Sequence, residues 1–283
     1  MSTSEPSLAE ALWDPKYTIH DIFDIGSSEL TRPYLPGAPT YLATIDLAYL
    51  AFIYYIGPKF MKDRKPYDLK GTIRIYNLIN IVINSVWFTL AFYYSNFIYD
   101  CWMCRKSEIP DYLIISAGLW YMCLKIFDLL DTIFFVLRKK SNQLTFLHVS
   151  HHAIMPFTAW FATKYAPVVT TALTPILNSF VHMVMYTYYY KVSKGVELSW
   201  IKQYITIMQL VQFVIITAHA AHLMLMPSCD YPKWFASIEL AHGLFFIYTF
   251  SGFYRNAYSK RNNQSVSVET NDRTTEICTI KQD

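Results

Sequence analysis

The chain has 283 residues, 53% of them apolar, 17% aromatic and only 16% charged, with a net charge of +3. That balance is too apolar and too weakly charged for an ordinary soluble domain, and it offers no basic surface for nucleic acid. The length would allow two soluble domains, but the apolar runs argue for one all-α polytopic membrane bundle.

Residues 1–40 are polar and carry no basic-then-apolar leader pattern. They are expected to form an N-terminal lumenal segment, with the first span acting as its own targeting signal. Candidate spans follow at 41–58, 73–98, 111–137, 145–162, 166–190, 203–226 and 234–256. Each is near the ~20 residues that cross a hydrocarbon core, so the expectation is seven transmembrane helices over 41–256. The first contains Asp46 and the fourth contains three histidines. No internal repeat is evident. Residues 257–283, rich in Ser, Thr, Asn and charges, read as a disordered cytosolic tail. Within it, Asn263-Gln264-Ser265 matches a glycosylation sequon on the side where it would not be modified, and Lys281 is half of a dilysine retrieval signal.

Basic residues in the connections set the orientation. One side takes Lys59, Lys62, Arg64, Lys65, Lys70 and Arg74, then Arg138, Lys139 and Lys140, then Lys191, Lys194 and Lys202, then Arg255, Lys260 and Arg261. The other takes Arg105, Lys106, Lys164 and Lys233, with Lys16 and Arg32 in the N-terminal segment. The richer side should be cytosolic, which puts the N-terminus in the lumen and the C-terminus in the cytosol. Cys101, Cys104 and Cys229 all fall in connections on the lumenal side, where disulfides persist. A bridge from Cys229 to Cys101 or to Cys104 is expected. Cys123 lies within a span and Cys278 in the tail, so neither is a candidate.

Ionisable groups inside a membrane are costly and mark function by default. The fourth span carries His148, His151 and His152, three rings within five residues. On a helix His148 lies under both others, and each ring needs its own polar partner. The third span carries Lys125, Asp128, Asp131 and Thr132. The fifth carries Asn178, His182, Met185, Tyr186, Tyr188 and Tyr189, and the sixth Thr206, Gln209 and Gln212. Steps of three and four put each set on one helix face. Counting ~1.5 Å per residue from Lys140, Arg138, Lys191 and Lys202, His151, Asp128, His182 and Gln209 all lie ~10–15 Å deep. The expected picture is a polar chamber open to the cytosol, continuing into an apolar tunnel through the lumenal halves. A polar head joined to a long apolar tail, such as a fatty acyl thioester, would fit it.

These stretches resemble the ELO fatty acid elongases. Lys125-Ile-Phe-Asp128-Leu-Leu-Asp131-Thr132 is similar to that family's Lys-x-x-Glu-x-x-Asp-Thr motif, and His148-Val-Ser-His151-His152 to its histidine box. His182-Met-Val-Met185-Tyr186-Thr-Tyr188-Tyr189 resembles its His-x-x-Met-Tyr-x-Tyr-Tyr motif, and Thr206-Ile-Met-Gln209-Leu-Val-Gln212 its Thr-x-x-Gln-x-x-Gln motif. All four occur in the family's order. The one departure is Asp128, a methylene shorter than the usual Glu. The resemblance implies an endoplasmic reticulum enzyme that condenses acyl-CoA with malonyl-CoA, giving 3-ketoacyl-CoA, CO2 and CoA. It implies no nicotinamide cofactor and no metal, and association with its own kind and with the reductase and dehydratase of the cycle. Ala153-Ile-Met-Pro156 looks more like elongases of saturated and monounsaturated very long chains.

The intramembrane Cys123 is off the Lys125/Asp128 stripe, which leaves histidine as nucleophile, and the family's ping-pong chemistry through an acyl-imidazole fits. His151 is assigned as acyl acceptor and His182 as the imidazole facing it. His148 and His152 orient the nucleophile's ring. Lys125 and Asp128 pair with each other and with the histidines. Asn178, Gln209 and Gln212 are candidate donors to an oxyanion or enolate, and Tyr186, Tyr188 and Tyr189 are read as chamber wall. Two other readings stay open on the residues alone. One is a membrane di-iron desaturase or hydroxylase, which would recruit His219, His222 and His242. The other is a seven-span receptor or transporter without turnover.

Overall fold

A computed structural model describes residues 11, 14, 16–94, 97–104, 108–229 and 231–259. The sequon, Lys281, Cys278, Arg105, Lys106 and nearly all of the expected tail lie outside the described residues. Among those described there is no strand, and the chain is all-helical.

In chain order the helices are α1 (Ile19–Asp24), α2 (Thr40–Met61), α3 (Lys70–Tyr94), α4 (Phe97–Trp102), α5 (Asp111–Phe127), α6 (Leu130–Leu137), α7 (Phe146–Tyr165), α8 (Leu173–Ser193), α9 (Ile201–Leu225) and α10 (Lys233–Tyr254). Thr18 and Thr145 cap α1 and α7 through their hydroxyls, and Pro110 and Pro232 precede α5 and α10. Among the described residues, four helical stretches are long and apolar enough to cross a membrane: Thr40–Met61, Lys70–Tyr94, Asp111–Leu137 and Ile201–Leu225. Helices α7, α8 and α10 have the length. The His, Asn, Tyr and Glu side chains they carry lower their mean hydropathy.

The main helix pairs are α3 with α8, α9 with α10, and α5 with α7. Close approach rests on small residues. A Cβ on Gly118 of α5 would collide with the Thr163 hydroxyl of α7, and one on Gly243 of α10 with Thr217 of α9. At one end of the bundle, connections that carry basic residues meet: Lys139 Nζ donates to Lys62 O at 3.2 Å and Arg74 donates to Ser193 O at 2.6 Å. The opposite end is tied by a disulfide between Cys104 and Cys229. Cys101 lies outside that bridge, buried, with its thiol donating to the Val169 carbonyl at 3.3 Å.

Several expectations need correction. The expected span 111–137 holds as Asp111–Leu137, but its helix is interrupted at Asp128-Leu129 by i→i−3 bonds from Leu129 N to Ile126 O and from Asp131 N to Asp128 O, a local tightening often found at functional positions. The span 166–190 begins as helix only at Leu173, after a short 3-10 turn over Val169–Ala172. Residues 141–143 form a 3-10 turn and α7 starts at Phe146, so His151 is only about 8 Å inside its own helix, not the depth counted from Lys140.

Lys164 is no connection charge. It sits in the last turn of α7, fully buried, bonded to Asp24 Oδ1 (2.6 Å), Leu35 O (2.7 Å) and Gly37 O (2.9 Å). A buried ammonium needs such full satisfaction, and here it draws the N-terminal segment onto the bundle. Leu35 joins the core of Tyr121, Leu124, Ala159 and Trp160, and Phe23 meets Trp160 edge-to-face. The disulfide half of the bundle is therefore not purely apolar, since Lys164, His219 and Glu239 are buried there.

Candidate active site

Helix α5 carries Tyr121 and Lys125 on one face, and the turn at Asp128-Leu129 swings Asp128 back beneath them. Lys125 Nζ donates to Asp128 Oδ2 at 2.9 Å and to Asn178 Oδ1 at 2.8 Å. Tyr121 OH donates to the same Asn178 oxygen at 2.9 Å, and the ammonium lies 4.9 Å from the Tyr121 ring centre. Lys125, Asp128 and Asn178 are each 3% exposed or less. At such depth a charge survives only with a partner of this quality.

Helix α8 completes the cluster one turn at a time. Tyr186, fully buried, donates to Asp131 Oδ2 at 2.6 Å and lies 3.3 Å from Asp128 Oδ1. It is a holder of both carboxylates rather than plain wall. His182 Nδ1 is 3.6 Å from Asp128 Oδ2 and makes no hydrogen bond within the described residues. Of the remaining tyrosines, Tyr189 stacks edgewise 6.1 Å from Tyr186 and stays exposed.

The histidine box occupies the first turns of α7. His148 Nε2 is 3.0 Å from Thr132 Oγ1, which accepts from Tyr49 OH at 2.9 Å, so the His148 ring is oriented from α6 and α2. The His148 and His152 rings are 4.3 Å apart, and His151 and His152 5.4 Å apart. His151 turns the other way, edge-on to Phe246 of α10 at 5.1 Å. Pro156, inside α7, cannot donate to the carbonyl of His152, loosening the backbone at the box. Cys123 is exposed on the outer face of α5.

The two glutamines stand apart from this network. Gln209 Nε2 reaches Met185 Sδ at 3.6 Å, and Gln212 is buried with Oε1 unbonded among the described residues. The expected role of Asn178 narrows too. Its oxygen is taken by Lys125 and Tyr121, leaving only its NH2 to donate elsewhere. His219 bonds the Cys101 carbonyl at 3.0 Å, and Trp102 stacks on His222, both at the disulfide end. Among the described residues no group of three His, Cys, Asp or Glu side chains converges as a metal set would.

The sequence reading overlooked a fifth stripe. Tyr76, Asn77, Asn80 and Asn84 of α3 are all buried against α8, with Tyr76 OH 3.4 Å from Tyr186 OH. Steps of three and four between asparagines in an apolar run were the available signal. Tyr121, four residues before Lys125, was legible the same way.

Beside the cluster lies a cavity of about 620 Å³ between α3, α5 and α7 and the start of α8. Its walls are chiefly Val82, Val86, Leu90, Ala117, Ala159 and Ala162. Tyr121 and Met155 are among its lining residues, so one face of Tyr121 lines the cavity while its hydroxyl belongs to the polar network. A second cavity of about 350 Å³ opens at the basic end, where Thr145, Arg255 and Asn256 line it.

Comparison with known proteins places this arrangement. The chain is 34% identical over 260 residues to very long chain fatty acid elongase 7 of Drosophila melanogaster, covering 89% of this chain and 79% of that one. It is 34% identical over 262 residues to very long chain fatty acid elongase 1 of Mus musculus, covering 89% and 93%. It is 37% identical over 230 residues to very long chain fatty acid elongase 7 of Rattus norvegicus, covering 78% and 82%. The model of the ELO, or GNS1/SUR4, family matches residues 34–266, a stretch that contains every side chain of the polar cluster and of the histidine box, and the chain belongs to that family.

Proposed function

We propose that this protein condenses a long-chain acyl-CoA with malonyl-CoA to 3-ketoacyl-CoA, CO2 and CoA through an acyl-histidine intermediate. The observation that carries the reading is the junction at Tyr121. A buried, hydrogen-bonded polar network sits on one side of this ring and a mainly apolar cavity on the other, as a thioester with its acyl tail requires.

In this reading a ring nitrogen of His151 attacks the thioester carbonyl, the C–S bond breaks, and CoA leaves after taking a proton. Malonyl-CoA then loses CO2, and the resulting enolate attacks the acyl-imidazole, forming the new C–C bond and freeing His151. His182 shuttles the proton. Asp128, held by Lys125 and Tyr186, fixes the position of the His182 ring, and His148 and His152 orient His151. The NH2 of Asn178 is placed to donate to the developing oxyanion. The cavity holds the acyl chain, and its depth limits chain length. The CoA moiety lies at the basic end near Arg255. No nicotinamide, flavin or metal is required.

We assign the protein to the endoplasmic reticulum membrane with seven spans, the basic end cytosolic and the N-terminus lumenal. The Cys104–Cys229 bridge at the opposite end supports that direction. Association with itself and with the other enzymes of the elongation cycle follows from the same reading. The test is purified protein in detergent, given acyl-CoA and malonyl-CoA without NADPH, O2 or added metal. Mass spectrometry should detect a 3-ketoacyl-CoA two carbons longer. Failure across a range of chain lengths, with folded protein, would overturn the proposal and send the inquiry to iron content.

A further inference from the structure

We infer that the acyl cavity is built to accept a chain carrying a hydroxyl group near its middle, with Glu239 of α10 as the group that recognises it. The inference rests on the condensation reading for the identity of the chain and on geometry for the rest.

Glu239 lines the cavity, and among the described residues it supplies the only carboxyl on a mainly apolar wall, whose Ser116, Thr158 and Thr163 hydroxyls are taken by carbonyls of their own helices. It is nine-tenths buried. Its Oε2 accepts from Tyr231 OH at 2.7 Å, while its Oε1 has no hydrogen bond among the described residues. A carboxyl facing hydrocarbon is expensive, and one bond from Tyr231 satisfies only part of its capacity. The catalytic scheme makes no use of it. A pure methylene chain passing this point would desolvate Oε1 and return nothing, whereas a hydroxyl donating to Oε1 would restore the lost bond.

Position along the helix sets where on the chain that hydroxyl belongs. Glu239 is two turns, about 10 Å, from Phe246, whose ring touches His151. A chain tethered by its carbonyl carbon at His151 and running toward the disulfide end therefore comes level with Glu239 about 10 Å along its length. A terminal hydroxyl on a long chain would overshoot it.

The experiment compares octadecanoyl-CoA with a panel of its hydroxy positional isomers in the malonyl-CoA condensation, using purified full-length protein. The wild type should elongate one mid-chain isomer at least as efficiently as the plain chain. Glu239→Leu should lose roughly tenfold in kcat/KM for that isomer, the worth of one such hydrogen bond, and hold or gain on the plain chain. Tyr231→Phe should keep the preference, because it frees the carboxyl without removing it. An unchanged ratio in Glu239→Leu, or loss of the preference in Tyr231→Phe with Glu239 intact, would overturn the inference and leave the carboxyl as a structural partner of Tyr231. Glu239→Gln, which keeps an acceptor oxygen, replaces the leucine variant if that one does not fold; it should retain the preference, and its failure to do so counts against the inference. Displacement of a fluorescent acyl-CoA by plain and hydroxylated thioesters is measured on the same proteins. If neither thioester is condensed, the condensation reading falls, and the displacement ratios still decide the fate of Glu239.

Discussion

Two regions share the side chain of Tyr121 and are built by opposite means. On its hydroxyl side, Lys125, Asp128, Asp131, Asn178 and Tyr186 are tied to one another by bonds of 2.6–3.3 Å. Almost every polar atom there has one defined partner. On its ring side the cavity is walled mainly by aliphatic and aromatic side chains, and the hydroxyls of Ser116, Thr158, Thr163 and Thr171 among them bond back to carbonyls of their own helices or turns. The network holds geometry and tolerates little change, because removing one member strands another in a medium without water. The cavity is held by packing more than by directed bonds, so under the proposed function changes there are expected to select among substrates.

That contrast can be broken or sharpened by substitution. The largest effect is expected from His151→Ala, which should abolish condensation by at least roughly a thousandfold while the melting temperature in detergent barely moves. Retained turnover would remove the nucleophile assignment. Next is Lys125→Met, which leaves Asp128 buried without its counter-charge. It should cost about 3–5 kcal/mol of stability and most of the activity. Replacing Asp128 by Leu in the same chain should recover much of the stability but none of the rate, and a thermal melt beside a rate assay reads both.

A smaller, conditional effect belongs to the cavity. Ala162→Phe should fill part of it, cutting elongation of the longest accepted chains about tenfold or more and sparing short ones, as read from product lengths by mass spectrometry. If all lengths fell together, the cavity would not be the acyl site. Tyr121→Phe keeps the cavity wall and removes one bond to Asn178. A loss of about 0.5–1.5 kcal/mol in stability and a several-fold fall in rate at every chain length are expected. Least affected in rate should be Cys104→Ser. The bridge is remote from the histidines, so turnover should stay within twofold while the melting temperature drops. A large rate loss there would mean that the two ends of the bundle are coupled.

The histidine box stood out because three rings in an apolar run each need a polar partner, which hydrogen bonds to nearby loops would rarely supply. The stripes on α5, α8 and α9 were legible because helical spacing puts residues three and four apart on one face. Asn77, Asn80 and Asn84 obeyed the same rule and were passed over, since no charged residue or histidine stands among them to draw attention, as His182 does beside Asn178. Lys164 was misread because a lysine near a span end looks like a connection charge until its partners, Asp24 and the carbonyls of Leu35 and Gly37, are seen.

By itself, then, the sequence determined the all-helical class, the faces that carry polar groups, and the end of the bundle where cysteines gather. Each of these follows from composition or from the periodicity of a single helix. Only the tertiary structure decided that Cys104 rather than Cys101 bridges to Cys229, that the chain breaks at Asp128-Leu129, and that Tyr121 joins polar network to cavity. It also decided that Gln209 and Gln212 stand outside the network, while Tyr186 belongs to it. The reason is physical. Spacing along a helix says which side chains share a face, but which neighbour that face meets depends on how helices pack, and packing is set by contacts far apart in the chain.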